Sequence, residues 1–139
     1  MAKIQGLGTA EWGLMMTSLS FALKGTDAHV SLRPADMQGP TPDWWPGETA
    51  RTIAEGDAIT VENIRKAFPN IASVAWGDRP GKFLNSVECI GFFDGLRISI
   101  LSHVSGGGIV DQDRLDKKHA ELQTLGNEFI AMITSSTIS

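Results

Sequence analysis

The chain has 139 residues, an apolar content of 42% and a formal net charge of −4 from 12 basic and 16 acidic residues. A chain of this length is long enough for one core, so we expect a single domain over residues 1–139. The basic residues are scattered, which argues against binding to nucleic acid or to an anionic membrane, because both need concentrated positive charge. The lone cysteine, Cys89, excludes a disulfide within the chain and gives no sign of an oxidising compartment.

The N-terminal stretch is predicted to form an amphipathic helix over residues 9–24. Thr9 is placed to cap this helix and Gly25 to end it. Its apolar residues follow helical spacing: Trp12, Met15, Met16, Leu19, Ala22 and Leu23. The uncharged residues 12–23 are fewer than the roughly 20 that span a bilayer, and Glu11 stands where the apolar part of a signal peptide would begin. We therefore expect neither a leader nor a membrane segment.

A long loop rich in Pro, Gly and Trp is predicted at about residues 34–57. A short strand at residues 28–33 precedes it, and a helix at residues 60–68, with Thr60 as its cap, follows it. Four prolines fall in the loop, a composition that disfavours both helix and central strand: Pro34, Pro40, Pro42 and Pro46. Loops longer than about 15 residues are uncommon in compact domains and are usually functional or disordered. We expect this loop to be held by a contact.

The clearest local pattern is a β-hairpin. Residues 87–93 and 96–104 alternate in polarity on either side of Asp94-Gly95, a dipeptide that suits a two-residue type I′ turn. Such a turn predicts four pairs on one apolar face: Phe93 with Leu96, Gly91 with Ile98, Cys89 with Ile100, and Val87 with Ser102. The other face is predicted to carry Glu88, Ile90 and Phe92 opposite Leu101, Ser99 and Arg97. Since that second face is more apolar than a solvated face usually is, we expect it to contact a second layer or a partner.

The remaining elements complete an α+β fold. Residues 71–76 alternate as a strand, residues 77–81 are dense in turn formers, and a long helix is predicted from about residues 111–113 to 133. Consecutive antiparallel strands flanked by helices are typical of the α+β class. The prediction is therefore a small antiparallel sheet, containing the Asp94-Gly95 hairpin, packed against an N-terminal helix and a long C-terminal helix.

Motifs that would carry chemistry are incomplete. The glycines at residues 106–108 lead into a helix, as in a phosphate site, but Asp111 and Asp113 would repel a phosphate and no lysine and hydroxyl follow. Residues 111–122 lack the glycine and the final glutamate of a calcium loop, so helix capping explains their aspartates better. The histidines His29, His103 and His119 have no zinc-site spacing, no GxSxG motif is present, and Cys89 lies mid-strand. We expect no catalytic residue, no metal and no cofactor.

Two adjacent tryptophans, Trp44 and Trp45, are the most unusual local feature. They are followed by Pro46-Gly47, in a stretch with little capacity to form a core of its own. Three interpretations remain open. In the first, the indoles fold back into the domain's own core. In the second, they form a protein interface, where tryptophan is enriched. In the third, they stack on a small ligand such as a sugar.

The second half of the chain combines four features in order. These are Phe68-Pro69-Asn70-Ile71, the segment Trp76-Gly77-Asp78-Arg79-Pro80, the alternating strand at residues 96–104 and the closing helix at residues 113–133. Over about half of the chain, this pattern resembles the tail-terminator and related neck proteins of tailed bacteriophages. The resemblance implies an N-terminal helix and an α+β subunit that assembles as a sixfold ring at the head-proximal end of a tail. It implies no catalytic residues, because that family does no chemistry.

These observations favour a non-enzymatic assembly or interaction protein with protein partners. The residues expected at its interface are Trp44, Trp45, Arg79, Lys82, Ile90, Phe92 and Leu101. We expect a homo-oligomer, with a ring as one form, that lies in the cytoplasm during assembly and in the virion if the phage resemblance holds. The alternatives are a protein inhibitor that acts by surface contact, and a small-molecule-binding or catalytic α+β domain in which His103, Asp78 and Arg97 converge.

Overall fold

One antiparallel sheet organises the molecule. The computed structural model describes residues 4–13, 18–36, 43, 45–48, 51–52, 60–68, 71, 74–78, 81–83, 86–93, 95–103 and 112–134. Within these residues, eight strand segments occupy six positions across the sheet. With two helices packed against one side of that sheet, the fold is α+β, as predicted.

The N-terminal third of the chain is a meander of strands, so the predicted helix at residues 9–24 is wrong. Its strands are β1 (Gly6–Leu7), β2 (Glu11–Gly13), β3 (Ser18–Lys24) and β4 (Ala28–Pro34). In β3, Leu19, Phe21 and Leu23 are buried and alternate with more polar residues. The same apolar residues fit both the period-two spacing of a strand and the helical spacing used for the prediction. They form a strand because β3 pairs with β4 on one side and with β1 and β2 on the other.

Gly25 has a role other than the predicted helix end. It lies in the tight turn between β3 and β4 with a φ of 91°, a left-handed conformation that glycine adopts without a steric penalty. Thr26 completes the turn, because its hydroxyl donates to the Leu23 carbonyl at 2.7 Å and accepts from the Ala28 amide at 3.0 Å. This turn fixes the register that places Phe21 opposite Val30 in the core.

The C-terminal strands form a second meander, and the predicted hairpin is confirmed. Its strands are β5 (Ala75–Trp76), β6 (Gly81–Phe83), β7 (Ser86–Phe93) and β8 (Leu96–His103). All four predicted pairs on the apolar face are present, from Phe93 with Leu96 to Val87 with Ser102. Of the described residues in the predicted strand at residues 71–76, which are 71 and 74–76, Ala75 and Trp76 pair with β7.

The two meanders join at the centre of the sheet through β4 and β8. These strands pair antiparallel over seven residue pairs, from Ala28 with Ser102 to Pro34 with Leu96. The strand order is β1 and β2 at one edge, then β3, β4, β8 and β7, with β5 and β6 at the other edge. Pro34, which lacks an amide proton, is accommodated at the end of β4, at the last of these pairs.

Both edges of the sheet are interrupted. Leu7 lies opposite Leu23 and Glu11 opposite Ser20, so the three residues 8–10 face only the two residues 21–22. At the other edge, Trp76 lies opposite Gly91 and Gly81 opposite Glu88, so the chain has four residues between these two pairs where β7 has two. Extra residues of this kind bend an edge and disrupt its ladder, which makes continued strand pairing with another chain unfavourable.

Two helices cover one side of the sheet, and the core lies between them and the strands. The helix α1 (Val61–Ala67) begins as predicted, with the Asn63 amide donating to the Thr60 hydroxyl at 3.1 Å. The long helix α2 (Gln112–Thr134) confirms the predicted C-terminal helix and packs over β7 and β8. Phe129 of α2 meets Phe21 of β3 with ring centroids 5.6 Å apart. None of the helices in the described part of the chain is long and apolar enough to cross a membrane.

The predicted loop at residues 34–57 is in part regular structure. Pro34 belongs to β4, and Gly47, Glu48, Arg51 and Thr52 have helical backbone. The Thr52 hydroxyl donates to the Glu48 carbonyl at 2.9 Å, four residues back, as in a helical turn. The proline and glycine content therefore predicted too much loop in this stretch, because a Pro and a Gly are well tolerated at the first positions of a helix.

Candidate interaction surface

The side of the sheet that faces away from α2, here called the outer face, carries the residues that were predicted to meet a partner. Its central members are Ser31 and Arg33 of β4, Glu88, Ile90 and Phe92 of β7, and Arg97, Ser99 and Leu101 of β8. Within β7 and β8, the register reproduces the predicted second face of the hairpin, with Phe92 opposite Arg97, Ile90 opposite Ser99, and Glu88 opposite Leu101. The face therefore mixes apolar, hydroxyl and charged groups.

The apolar part of the outer face consists of Ile90, Phe92 and Leu101. Phe92 is 49% exposed, whereas Ile90 and Leu101 are half-buried. Among the described residues, Phe92 is the large apolar side chain that is clearly exposed. Ile90 lies two residues before Phe92 on the same face of β7, whereas Leu101 lies opposite Glu88. Aromatic side chains contribute much of the energy at protein interfaces, so the exposed Phe92 ring is suited to anchor a partner.

The charged part of the outer face lies at the middle of the sheet. Arg33 and Arg97 face each other directly across β4 and β8. Glu88 of β7 accepts a hydrogen bond from the Ser99 hydroxyl at 2.5 Å and lies 3.5 Å from the Arg97 guanidinium. The Arg97 and Glu88 side chains are only 16% and 21% exposed, so this ion pair is less screened by water than a surface pair.

Arg33 is the least compensated member of this group. Its Nε is buried without a hydrogen-bond partner. Burial lowers the pKa of the Arg33 guanidinium, the neighbouring Arg97 lowers it further, and Glu88 acts in the opposite direction. Arg33 remains charged at neutral pH because the ordinary arginine pKa is far higher. The centre of the outer face therefore holds two guanidinium groups and one carboxylate.

The other residues predicted at the interface are only partly placed. Trp44 and Arg79 lie outside the described residues, and Lys82 lies in β6, where only its backbone is described. Trp45 is half-buried and packs against the core, its ring centroid 5.5 Å from that of Phe68 in an edge-to-face contact. Of the three interpretations of the tryptophan pair, the structure supports folding back onto the core for Trp45.

The alternative site of His103, Asp78 and Arg97 is not assembled. His103 and Arg97 are six residues apart on β8, which at about 3.3 Å per residue separates them by roughly 20 Å. His103 instead bonds Ser86, with 3.1 Å between its Nδ1 and the hydroxyl oxygen. Asp78 follows β5 at the edge of the sheet, beyond β7 from Arg97. These three residues therefore share no common reaction centre.

The histidines occupy separate environments. His29 is exposed on β4, His103 is exposed at the end of β8, and His119 is buried on α2 with an unpartnered Nε2. Among the described residues, no group of His, Cys, Asp and Glu side chains has an arrangement that would hold a metal ion. The structure therefore brings no two of these histidines into one site.

Arg33 and Trp76 are the residues whose importance the sequence does not reveal. Arg33 reaches the outer face only because β4 pairs with β8, two strands that are 62 residues apart in the chain from Pro34 to Leu96. Trp76 lies opposite Gly91 and reaches Gly126 of α2, and its indole nitrogen donates to the Asn127 side chain at 2.7 Å. In the sequence, the sign of this contact is a glycine inside a strand, Gly91, and a glycine inside a helix, Gly126, because such glycines allow another group to approach the backbone closely.

A shallow groove along α2 lies on the helix layer, on the opposite side of the sheet from the outer face. Its lining residues are Ala120, Glu121, Thr124, Leu125 and Glu128. The two carboxylates are seven residues apart, two helical turns, and therefore share one side of the helix.

Comparison of the chain with models of protein families, with curated proteins and with solved structures finds no match.

Proposed function

We propose that this protein is a non-enzymatic assembly protein that associates with further copies of itself through the outer face of its sheet. The observation that carries the proposal is the exposed Phe92, which lies on the outer face two residues from Ile90, with Leu101 farther along the same face. Apolar groups presented together on a regular sheet are typical of protein contact surfaces. A ring subunit of a phage tail or neck is the narrower form of this proposal.

The shape of the sheet supports contact through its face. Both edges are interrupted by extra residues, which disfavours addition of a partner strand along either edge. The outer face, in contrast, is built on the long paired strands β4, β7 and β8, which hold its side chains on a rigid surface. A surface that keeps its shape loses less conformational entropy on binding.

Light scattering coupled to size exclusion, over a range of protein concentrations, tests this proposal. We expect the mass of the wild-type protein to rise with concentration, and negative-stain images of the largest species to show rings if the narrower form holds. Phe92→Ser should weaken association roughly thirtyfold, which corresponds to about 2 kcal/mol for an aromatic anchor.

The matched control is Lys117→Ala, which removes an exposed side chain from α2 on the other side of the sheet. This variant should associate like the wild-type protein. A wild-type mass equal to one chain at every concentration would contradict the proposal, and so would equal association of Phe92→Ser and the wild-type protein.

A further inference from the structure

The centre of the outer face carries two like charges directly opposite each other, Arg33 on β4 and Arg97 on β8. Like charges in this position destabilise a sheet unless an opposite charge compensates them. Among the described residues, the charges that act on the Arg33 guanidinium are those of Arg97 and Glu88. Two guanidinium groups and one carboxylate leave this group of side chains with a local excess of one positive charge.

Glu88 does not compensate Arg33 by direct contact. Its carboxylate accepts the Ser99 hydroxyl and lies 3.5 Å from the Arg97 guanidinium. Within the described residues, Arg33 forms no ion pair, and its buried Nε has no hydrogen-bond partner. Unpartnered donors of this kind are uncommon in folded proteins, and a bound ion is one of their explanations. The arginine pair therefore has the electrostatic character of a site for an anion.

The hydroxyl groups next to the arginine pair already have partners. Ser31 and Ser99 form the neighbouring residue pair across β4 and β8. The Ser31 hydroxyl oxygen lies 3.2 Å from that of Ser18, and the Ser99 hydroxyl donates to Glu88. The donors that remain for an incoming group are therefore mainly those of the two guanidinium groups, whose planar geometry matches a carboxylate.

The β7 side of the arginine pair is apolar. Phe92 lies opposite Arg97, and Ile90 lies opposite Ser99. Because neighbouring strands are about 4.8 Å apart, Phe92, Arg97 and Arg33 follow one another across the sheet over roughly 10 Å. Phe92 is 49% exposed, and Ile90 is half-buried. An apolar group of a few carbon atoms, attached to a carboxylate bound at the arginines, is long enough to contact the Phe92 ring.

We infer that Arg33 and Arg97 form a binding site for a small apolar carboxylate. The carboxylate group lies between the two guanidinium groups and neutralises their excess charge, and its apolar part contacts Phe92. One carboxylate supplies the single negative charge that the site lacks, whereas a phosphate group carries up to about two. The net charge of −4 on the chain also disfavours a polyanion. The site lies within one chain, so this inference goes beyond the proposed function and does not depend on it.

Sodium benzoate is a suitable probe, because it joins one carboxylate to one ring. The wild-type protein is titrated with it at constant ionic strength, at a protein concentration where light scattering gives the mass of one chain. Proton–nitrogen NMR spectra should show saturable shifts of the amide signals of Arg33, Arg97 and Phe92. We expect a dissociation constant on the order of a few mM, since a ligand this small makes few contacts.

Three analogues separate the contributions of the charge and of the ring. Benzamide has the ring without the charge and should cause no saturable shift. Acetate has the charge without the ring and should bind roughly threefold to tenfold more weakly than benzoate, because it leaves the Phe92 ring exposed. Inorganic phosphate should also bind more weakly than benzoate. Benzamide binding as tightly as benzoate would overturn the inference, and equal binding of phosphate would overturn the assignment to a carboxylate.

Substitution of Arg33 tests the site itself. Arg33→Gln removes the charge that has no ion-pair partner and should weaken benzoate binding at least roughly tenfold, as expected for loss of charge-assisted hydrogen bonds. Arg33→Lys keeps the charge without the planar geometry and should recover only part of the affinity. The matched control, Lys66→Gln, removes an exposed cation from α1 and should bind benzoate like the wild-type protein.

Thermal unfolding distinguishes a binding role of Arg33 from a structural one. Without benzoate, Arg33→Gln should unfold at the same temperature as the wild-type protein or higher, because it relieves repulsion from Arg97 and breaks no ion pair in the described residues. Benzoate should raise the unfolding temperature of the wild-type protein more than that of Arg33→Gln, since a ligand that binds the folded state stabilises it. A lower unfolding temperature of the ligand-free variant, or unchanged benzoate binding by it, would overturn the inference whether or not the chain self-associates.

Discussion

Trp76 fixes the spacing between α2 and the sheet at the scale of a single residue. A Cβ atom at Gly126 would lie 2.6 Å from Trp76 Cζ2 and 2.7 Å from Ile100 Cδ1, too close for either side chain to remain in place. Gly126→Ala should therefore lower stability by about 1–3 kcal/mol through overpacking, which exceeds the gain of up to about 1 kcal/mol in helix propensity. Urea unfolding measures the difference. When Trp76 is replaced by Phe, Gly126→Ala should lower stability by less. An unchanged loss of stability would show that the overpacking does not involve the Trp76 ring.

Cys89 is a second residue whose surroundings decide its chemistry. Burial, together with the smaller effect of the neighbouring Glu88 charge, raises the pKa of its thiol from 9.0 to about 11. We expect no reaction of the folded protein with a chromogenic disulfide reagent at pH 8, and rapid reaction after unfolding in urea. The raised pKa also means that stability supplied by the neutral thiol is present below pH 9 and is lost as the pH rises towards 11. Fast labelling of the folded protein would contradict both expectations.

At the scale of elements, Arg65 connects the two helices. Its Nε donates to the Ile133 carbonyl at 2.8 Å and its Nη2 to the Met132 carbonyl at 3.1 Å, at the end of α2. The last turn of α2 has no basic residue of its own, so the guanidinium from α1 both caps these carbonyls and interacts favourably with the helix dipole. Arg65→Ala should cost about 1–3 kcal/mol, as for hydrogen bonds to a charged group.

Lys66 is the matched comparison for Arg65, because it is the next residue on α1 and is exposed. Lys66→Ala should change stability by no more than about 0.5 kcal/mol. Equal unfolding midpoints for the two alanine variants would show that the contacts at the end of α2 contribute little. Arg65→Lys should recover only part of the loss, since one ammonium does not reproduce the two donors of the guanidinium group.

Elements with local determinants could be predicted from the sequence, and those with distant determinants could not. Asp94-Gly95 fixed the register of β7 and β8, and Thr60 fixed the start of α1, because turn and cap chemistry act within a few residues. The apolar residues of β3 fit both helical and strand spacing, and pairing with neighbouring strands makes this segment a strand. For the same reason the mixed face of the hairpin was predictable, whereas the contribution of Arg33 to it was not.

At the scale of the whole molecule, β4 and β8 make the two meanders one cooperative structure. Leu32 of β4 is fully buried and lies between Leu19 of the first meander and Ile98 of the second. Leu32→Ala removes contacts on both sides at once and should lower the free energy of unfolding by about 2–5 kcal/mol. Both meanders share one core with α2. Unfolding followed by far-ultraviolet circular dichroism and by tryptophan fluorescence should therefore show a single coincident transition, both in the wild-type protein and in the variant. Two separate transitions would show that the meanders unfold independently. In that case the central pairing would organise the outer face without stabilising the molecule as a unit.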